Sequence, residues 1–254
     1  MPTELAARLP TGFRLMQHQL DTYNAIRGRA ADVIFHTGMT GDGKSLAGYT
    51  AALTHTKHHV LAMYPTNELI ADQRRQLLRH INEWNAPREV EELNARTLDQ
   101  QMDVQEVDRS TALLSYLNSA DILLTNPDVF YYIVAGRYHK QGYHPLGTLQ
   151  SLMFLYKQIT IDEFHLFDQA RTTALLTAIV FIKQVCGDRA PVFVLQSATP
   201  DDALKEALAS SRLTFHEIAC AYTHSATADE DTHRTILRGV DLRFTSEKLP
   251  DWIA

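Results

Sequence analysis

Five short apolar runs, at residues 32–36, 59–64, 121–125, 158–162 and 191–196, are rich in Val, Ile, Leu and Phe and bounded by turn residues. Each is of strand length and apolar along most of its course, the pattern of a strand covered on both faces. Between them lie stretches with helical spacing, at 45–56, 68–84, 111–117, 165–185 and 202–210. Strands separated by helices are joined by crossovers, which predicts a doubly wound α/β fold with a mostly parallel sheet.

Two segments interrupt this rhythm. Residues 85–108 carry Glu89, Glu91, Glu92, Asp103, Glu106 and Asp108 without sustained periodicity and read as a surface excursion. Residues 136–147 mix Arg137, His139 and Lys140 with Tyr138 and Tyr143, a composition that suits single-strand contacts and equally a solvated loop. From His216 onward the chain reads as a connector, with a polar segment at 223–234 and a strand at 240–244. No internal repeat or low-complexity tract occurs.

At 254 residues and 45% hydrophobic content the chain can bury a sizeable core. A net charge of −6 supplies no global positive field, so any nucleic-acid contact must come from a local patch. Two cysteines, Cys186 and Cys220, have neither metal-type spacing nor the density of a disulfide framework, and read as core thiols in a reducing compartment. His55, His58 and His59 stand at a helix-to-strand boundary without a nearby carboxylate or cysteine, and His58 and His59 read as solvated turn residues rather than zinc ligands. The first ten residues lack the layout of a secretory signal, and no apolar run approaches the ~18 residues of a membrane span, so the expected location is cytoplasmic, with no membrane partner.

The chemistry concentrates where strands end. Gly38-Met39-Thr40-Gly41-Asp42-Gly43-Lys44-Ser45 fits the phosphate-loop pattern G-x-x-x-x-G-K-[ST] after the first strand. Gly38, Gly41 and Gly43 let successive backbone N–H groups converge on a phosphate. In that role Lys44 reaches the β- and γ-phosphates of ATP, Ser45 ligates Mg²⁺, and Thr40 and Asp42 shape the loop. A glycine-rich turn before a helix is the plainer alternative. Asp162 and Glu163 follow Ile159-Thr160-Ile161, at the carboxyl end of a strand where open α/β sheets bind ligands. There Asp162 holds magnesium and Glu163 orients or deprotonates the attacking water, unless the pair merely caps a helix. Ser197-Ala198-Thr199 closes the fifth run, and its hydroxyls can bridge to the acidic pair or to His165; alone, it is a strand-end turn before Pro200.

With these motifs in order, the chain resembles the first RecA-like domain of superfamily 2 helicases, with Asp162-Glu163-Phe164-His165 as a DExH-type motif. The resemblance covers nearly the whole chain. It implies a RecA-like domain over 1–218 and, over 219–254, a connector and the start of a second such domain. In Leu15-Met16-Gln17-His18-Gln19, Gln19 resembles the adenine reader, with Gln17 as fallback. Tyr64-Pro65-Thr66-Asn67-Glu68-Leu69 and Leu124-Thr125-Asn126-Pro127-Asp128 are similar to the family's nucleic-acid motifs, which implies that Pro65, Thr66, Asn67, Thr125, Asn126 and Asp128 contact a single-stranded DNA backbone. Arg74, Arg75 and Arg79 add charge to the following helix or form a solvated face. His165, Ser197 and Thr199 are implied to couple hydrolysis to movement.

Within the superfamily these elements look most like the CRISPR-associated helicase-translocase of type I systems, in the type I-D form. That resemblance implies a surveillance complex and a separate nuclease subunit as partners; only about forty residues precede the phosphate loop. It also implies a second RecA-like domain bearing arginine fingers, for which no room remains after Phe244, so feeble ATPase activity is expected of this chain alone. A DExH RNA helicase domain and a non-catalytic partner-docking helicase fragment are the alternatives.

Overall fold

A computed structural model describes residues 3–39, 41–136, 149–150, 153–198 and 202–221. Thr40, Thr199, the basic and aromatic residues of 137–147 and the expected connector and strand of 222–254 lie outside the described residues. The chain divides into two units, Met1–Ala221 and Tyr222–Ala254, and every described strand and helix belongs to the first.

Seven parallel strands form one sheet: β1 Val33–Thr37, β2 His59–Met63, β3 Val90–Leu93, β4 Ile122–Thr125, β5 Tyr156–Ile161, β6 Val192–Ser197 and β7 Phe215–Ala219. Their order is β3-β4-β2-β5-β6-β1-β7. Helices α1 Thr3–Ala6, α2 Gln17–Gly28, α3 Lys44–Thr54, α4 Asn67–Glu83, α5 Ala95–Gln105, α6 Arg109–Ser119, α7 Pro127–Val134, α8 Gln169–Cys186 and α9 Asp202–Ser210 connect them. This is the α/β architecture expected, a RecA-like parallel sheet with helices on both faces.

Side-chain alternation along each strand assigns the two layers. Phe35, Leu61, Met63, Leu123, Ile159, Ile161, Phe193 and Leu195 point to one face, where Leu98, Leu113, Phe130, Ile179 and Leu208 from the helices cover them. Val60, Ala62, Ile122 and Leu124 meet Tyr49, Ile70 and Leu77 on the other face, and Ile34, Val192 and Val194 meet Tyr23 and Ile26. With both faces buried, the central strands show no polar alternation in sequence.

The five expected strands are present to within two residues at each end, and two more join them. β3 and α5 occupy the segment read as a surface excursion. Only Val90 and Leu93 of β3 and Leu98 of α5 are buried, so neither element carries a sustained apolar pattern. What fixes them is pairing of β3 with β4 and an Asn94 cap, whose Oδ1 accepts the Thr97 N–H at 3.0 Å. β7 replaces the expected start of the connector at His216; it pairs with β1 from Val33↔Phe215 to Thr37↔Ala219, yet buries only Ile218. Both are edge strands, exposed by position and therefore polar.

Helix limits follow local chemistry. Thr66, Asn94, Asp108, Asn126 and Asp168 cap α4, α5, α6, α7 and α8. Asp168 explains why the helix expected from His165 starts at Gln169, after a separate 3₁₀ turn at Phe164–Leu166. The expectation for His58 and His59 also needs correction. His58 is buried, its Nε2 lies 3.0 Å from Gln158 Oε1, and burial lowers its pKa to about 4. His59 is the first residue of β2. The polar partner that makes a buried His58 tolerable lies 100 residues away, beyond any local reading.

Candidate nucleotide site and nucleic-acid edge

The carboxyl ends of β1, β5 and β6 bring the three chemical motifs together. Adjacent in the sheet, β5 and β6 pair in register, as do β6 and β1. The loop after β1 hands directly to α3, whose first residue is Lys44, so the positive end of that helix faces the loop. Gly41 and Gly43 have φ of 93° and 78°, the left-handed region that favours glycine. A Cβ on Gly43 would also stand 2.5 Å from Gln19 Nε2.

Ser45 Oγ donates to Asp162 Oδ2 at 3.1 Å, a hydrogen bond across 117 positions that joins the phosphate loop to the acidic pair. Asp162 Oδ1 accepts the Glu163 N–H at 2.9 Å. Burial first, and the Glu163 carboxylate second, push the Asp162 pKa up to about 6. Glu163 itself adopts φ 51°, unusual for a residue with a side chain. Its Oε2 is enclosed without a hydrogen bond, while His165 Nδ1 stands 3.3 Å away outside bonding geometry. That same Nδ1 lies 3.1 Å from Ser197 Oγ. Ser197 also accepts the Gly38 N–H on its carbonyl at 3.1 Å, so the end of β6 touches both the acidic motif and the phosphate loop.

Lys44 is buried and donates to the Gly38 and Met39 carbonyls at 2.6 and 2.8 Å, folded over the loop. Gln19 lies against the loop, with Nε2 donating to the Gly43 carbonyl at 3.1 Å and Oε1 accepting the Met16 N–H at 2.9 Å. Both ends of this amide thus have partners within the protein. Gln17 pairs with Asp21 on the exposed side of α2. Asp42 is buried beside Gly38, its Oδ2 lying 3.1 Å from where a Cβ would be.

The donor set suits magnesium. Ser45 hydroxyl and Asp162 carboxylate are hard oxygen ligands already in contact, and the burial and adjacent Glu163 carboxylate that raise the Asp162 pKa leave negative charge that a cation would offset.

Along the same sheet edge, the ends of β2 and β4 meet. Asn126 Nδ2 donates to Asn67 Oδ1 at 3.1 Å. Thr66 and Asn126 cap α4 and α7, with Thr66 Oγ1 accepting from Leu69 N and Asn126 Oδ1 from Val129 N. Pro65 is half-buried, and Thr66, Asn67 and Asp128 are exposed, so helix N-termini with free surface stand side by side. Thr125 differs: it is fully buried and its hydroxyl donates to the Leu93 carbonyl at 2.8 Å, tying β4 to β3 rather than facing solvent. On α4, Arg75 pairs with Asp72, and Arg74 and Arg79 lie on its surface.

Sequence reasoning passed over two supports of the site. Gln196 Nε2 donates to the Lys44 carbonyl at 2.5 Å, fixing the first turn of α3 to β6. A polar residue inside the apolar run 191–196 was the available signal. Tyr49 and Tyr64 share a buried hydroxyl–hydroxyl hydrogen bond of 2.5 Å, which anchors α3 to the residue before Pro65.

Residues 16–207 match the family described as DEAD/DEAH box helicase. The chain belongs to that family. No curated protein matches this helicase domain. Solved structures similar to it include the DUF1998 helicase MrfA bound to DNA and AMPPNP, at 20% identity and TM-score 0.61, covering 86% of this chain and 29% of that one. Helicase Lhr of Mycobacterium smegmatis, bound to ssDNA and AMP-PNP, aligns at 17% identity and TM-score 0.63, covering 87% and 28%. A hypothetical ATP-dependent RNA helicase from Sulfolobus tokodaii aligns at 15% identity and TM-score 0.55, covering 87% and 57%. At these identities the likeness is one of fold, and the chain spans less than a third of MrfA and Lhr. Among the described residues no helix is long and apolar enough to cross a membrane.

Proposed function

We propose that this domain binds ATP with Mg²⁺ between the phosphate loop and the Asp162–Glu163 pair, and grips a single-stranded DNA backbone along the adjoining sheet edge. In this reading it is the first motor domain of a DNA helicase-translocase. The observation that carries the proposal is the Ser45–Asp162 hydrogen bond, which puts a hydroxyl and a carboxylate of two distant motifs within reach of one ion. Ser45 and Asp162 would hold the magnesium, which would supply positive charge to offset that of the phosphates.

The residues divide the work. Lys44 leaves the Gly38 and Met39 carbonyls to meet the phosphates, while loop N–H groups and the α3 terminus hold them. Glu163 Oε2 orients the attacking water and accepts its proton. His165 relays the state of Glu163 to Ser197 at the end of β6, with Thr199 completing that coupling element. Gln19 and Gly43 set the loop against the adenine side. Pro65, Thr66, Asn67, Asn126 and Asp128 present the strand-binding edge, and Thr125 supports it from below. Full turnover requires a second RecA-like domain that supplies arginine, as the resemblance implies. We assign the motor to CRISPR type I-D interference in the cytoplasm, acting with a surveillance complex and a separate nuclease.

The test is ATP hydrolysis by the full-length protein with no strand, single-stranded DNA or matched RNA. Lys44→Ala should lose nucleotide binding. Glu163→Gln should keep binding and lose turnover by about 10²–10⁴-fold. Wild-type hydrolysis in Lys44→Ala would refute the site, and equal stimulation by RNA would refute the DNA assignment. Failure to co-purify with a target-bound surveillance complex would remove the CRISPR role alone.

A further inference from the structure

Behind the phosphate loop, on a line of residues that the nucleotide reading does not use, lies an unusual interior. β1 buries His36 completely between Phe35 and Thr37, and α2 turns His18 toward it, with His18 Nδ1 2.9 Å from His36 Nε2. His18 is 8% exposed, and its other nitrogen, Nε2, is enclosed without a hydrogen bond, although the Asp42 backbone lies beside it. Burying a polar atom without a partner is unfavourable, so two imidazoles here need a reason.

Cys220 supplies one. Just past β7, its N–H donates to the Thr37 carbonyl at 2.9 Å, which brings the thiol over the start of the phosphate loop. Its Sγ packs so near Gly38 that any Cβ there would collide with it. One ring nitrogen of each histidine and Cys220 Sγ all lie within 4.8 Å of one another. Two imidazoles and a thiol from α2, β1 and the end of β7, converging from residues 18, 36 and 220, form a ligand set that no spacing rule detects.

We propose that His18, His36 and Cys220 bind a borderline-soft divalent cation of the Zn²⁺ type, at a site distinct from that of the magnesium carried with ATP. Nitrogen and thiolate donors select such an ion over Mg²⁺, which takes hard oxygens. Ligand atoms around a tetrahedral zinc stand roughly 3.3–3.7 Å apart, given Zn–N and Zn–S bonds of about 2.0 and 2.3 Å. The histidine pair needs to open by a few tenths of an ångström and the half-buried Cys220 to close in. Water fills the fourth position.

On binding, Cys220 gives up its thiol proton to solvent, and the proton shared between the two neutral rings moves to an outward-facing nitrogen. His18 Nε2–H then faces the Asp42 backbone, and His36 Nδ1 faces the Gln196 amide at 3.4 Å, where the amide oxygen accepts once the group turns. That turn withdraws Gln196 from the Lys44 carbonyl, so metal loading reaches the loop. The ion would also fasten the helix carrying Gln19 and the strand entering Gly38 to the edge strand β7.

The probe is Co²⁺, then Zn²⁺, added to chelator-treated full-length protein. Expected are cobalt–thiolate absorption at a single equivalent, its displacement by Zn²⁺, and a metal-dependent rise in melting temperature. Cys186→Ser should keep the band, whereas Cys220→Ser should lose it and bind Zn²⁺ more than about tenfold more weakly. Absence of the band in the wild type, or its survival in Cys220→Ser, would overturn the proposal and leave only a hydrogen-bonded histidine pair. Should Cys220→Ser fail to fold, alkylation of the wild type decides: Zn²⁺ must protect Cys220 from iodoacetamide, and unchanged labelling sinks the site.

Discussion

Asp162 shows how the proposed cation position is held at a cost to the fold. A carboxyl whose folded pKa is raised from 3.8 to about 6 favours the native state only while protonated. That contribution is full below about 3.8 and is lost as pH rises through about 6, so at pH 7.5 the ionised Asp162 carboxylate destabilises the cation-free fold by on the order of 3 kcal/mol. Asp162→Asn keeps an oxygen for Ser45 and removes the charge. Its expected effect is a higher melting temperature at pH 7.5, a difference that shrinks by pH 4, with hydrolysis abolished. Equal melting of variant and wild type at both pH values would contradict the raised pKa. Because Mg²⁺ competes with that proton, calorimetric Mg²⁺ affinity should fall about tenfold per pH unit below about 6. Asp162, Glu163, Lys44 and Ser45 stood out in the sequence, because the proposed chemistry requires a specific functional group beside a glycine turn or strand end. Thr125 was legible only as a type: its burial under β3 depends on a neighbouring strand that the sequence hid.

Among the elements, the two N-capped helices at the proposed strand-binding edge carry the next prediction. Asn126 both caps α7 and reaches Asn67 at the start of α4. Asn126→Ala should lower unfolding free energy by about 1 kcal/mol in denaturant titration, through the lost cap. It should also weaken single-stranded DNA binding while nucleotide affinity holds, since neither contact touches the phosphate loop. Loss of ATP affinity instead would place Asn126 in the wrong site. Central strands announced themselves because burial on both faces forces near-continuous apolar composition, as in Val192–Leu195. β3 and β7 did not, because an edge strand with one covered face and one free hydrogen-bonding side needs only a few apolar residues, Val90 and Leu93 or Ile218. α2 was likewise hidden, its buried face including His18, Gln19 and Thr22 rather than a leucine stripe.

Across the molecule, parallel pairing of all seven described strands puts every motif-bearing strand end on one side of the sheet, and the order β3-β4-β2-β5-β6-β1-β7 sets which of those ends are neighbours. Amides of β2, β5, β6 and β1 should exchange with solvent slowest, and those of β3 and β7 on the order of tenfold or more faster, by hydrogen-exchange mass spectrometry. Uniform protection across all seven strands would show that the edges are not separately labile. Local patterning already specified the alternation of strand and helix, the parallel sheet and residue types that suit phosphate and cation chemistry, because periodicity and glycine placement are local properties of a chain. Which of those residues meet is a property of the folded chain. Ser45 with Asp162, Asn67 with Asn126, Gln196 with Lys44, and His18 and His36 with Cys220 are contacts between distant positions, set by strand order and register, which no local window of residues encodes.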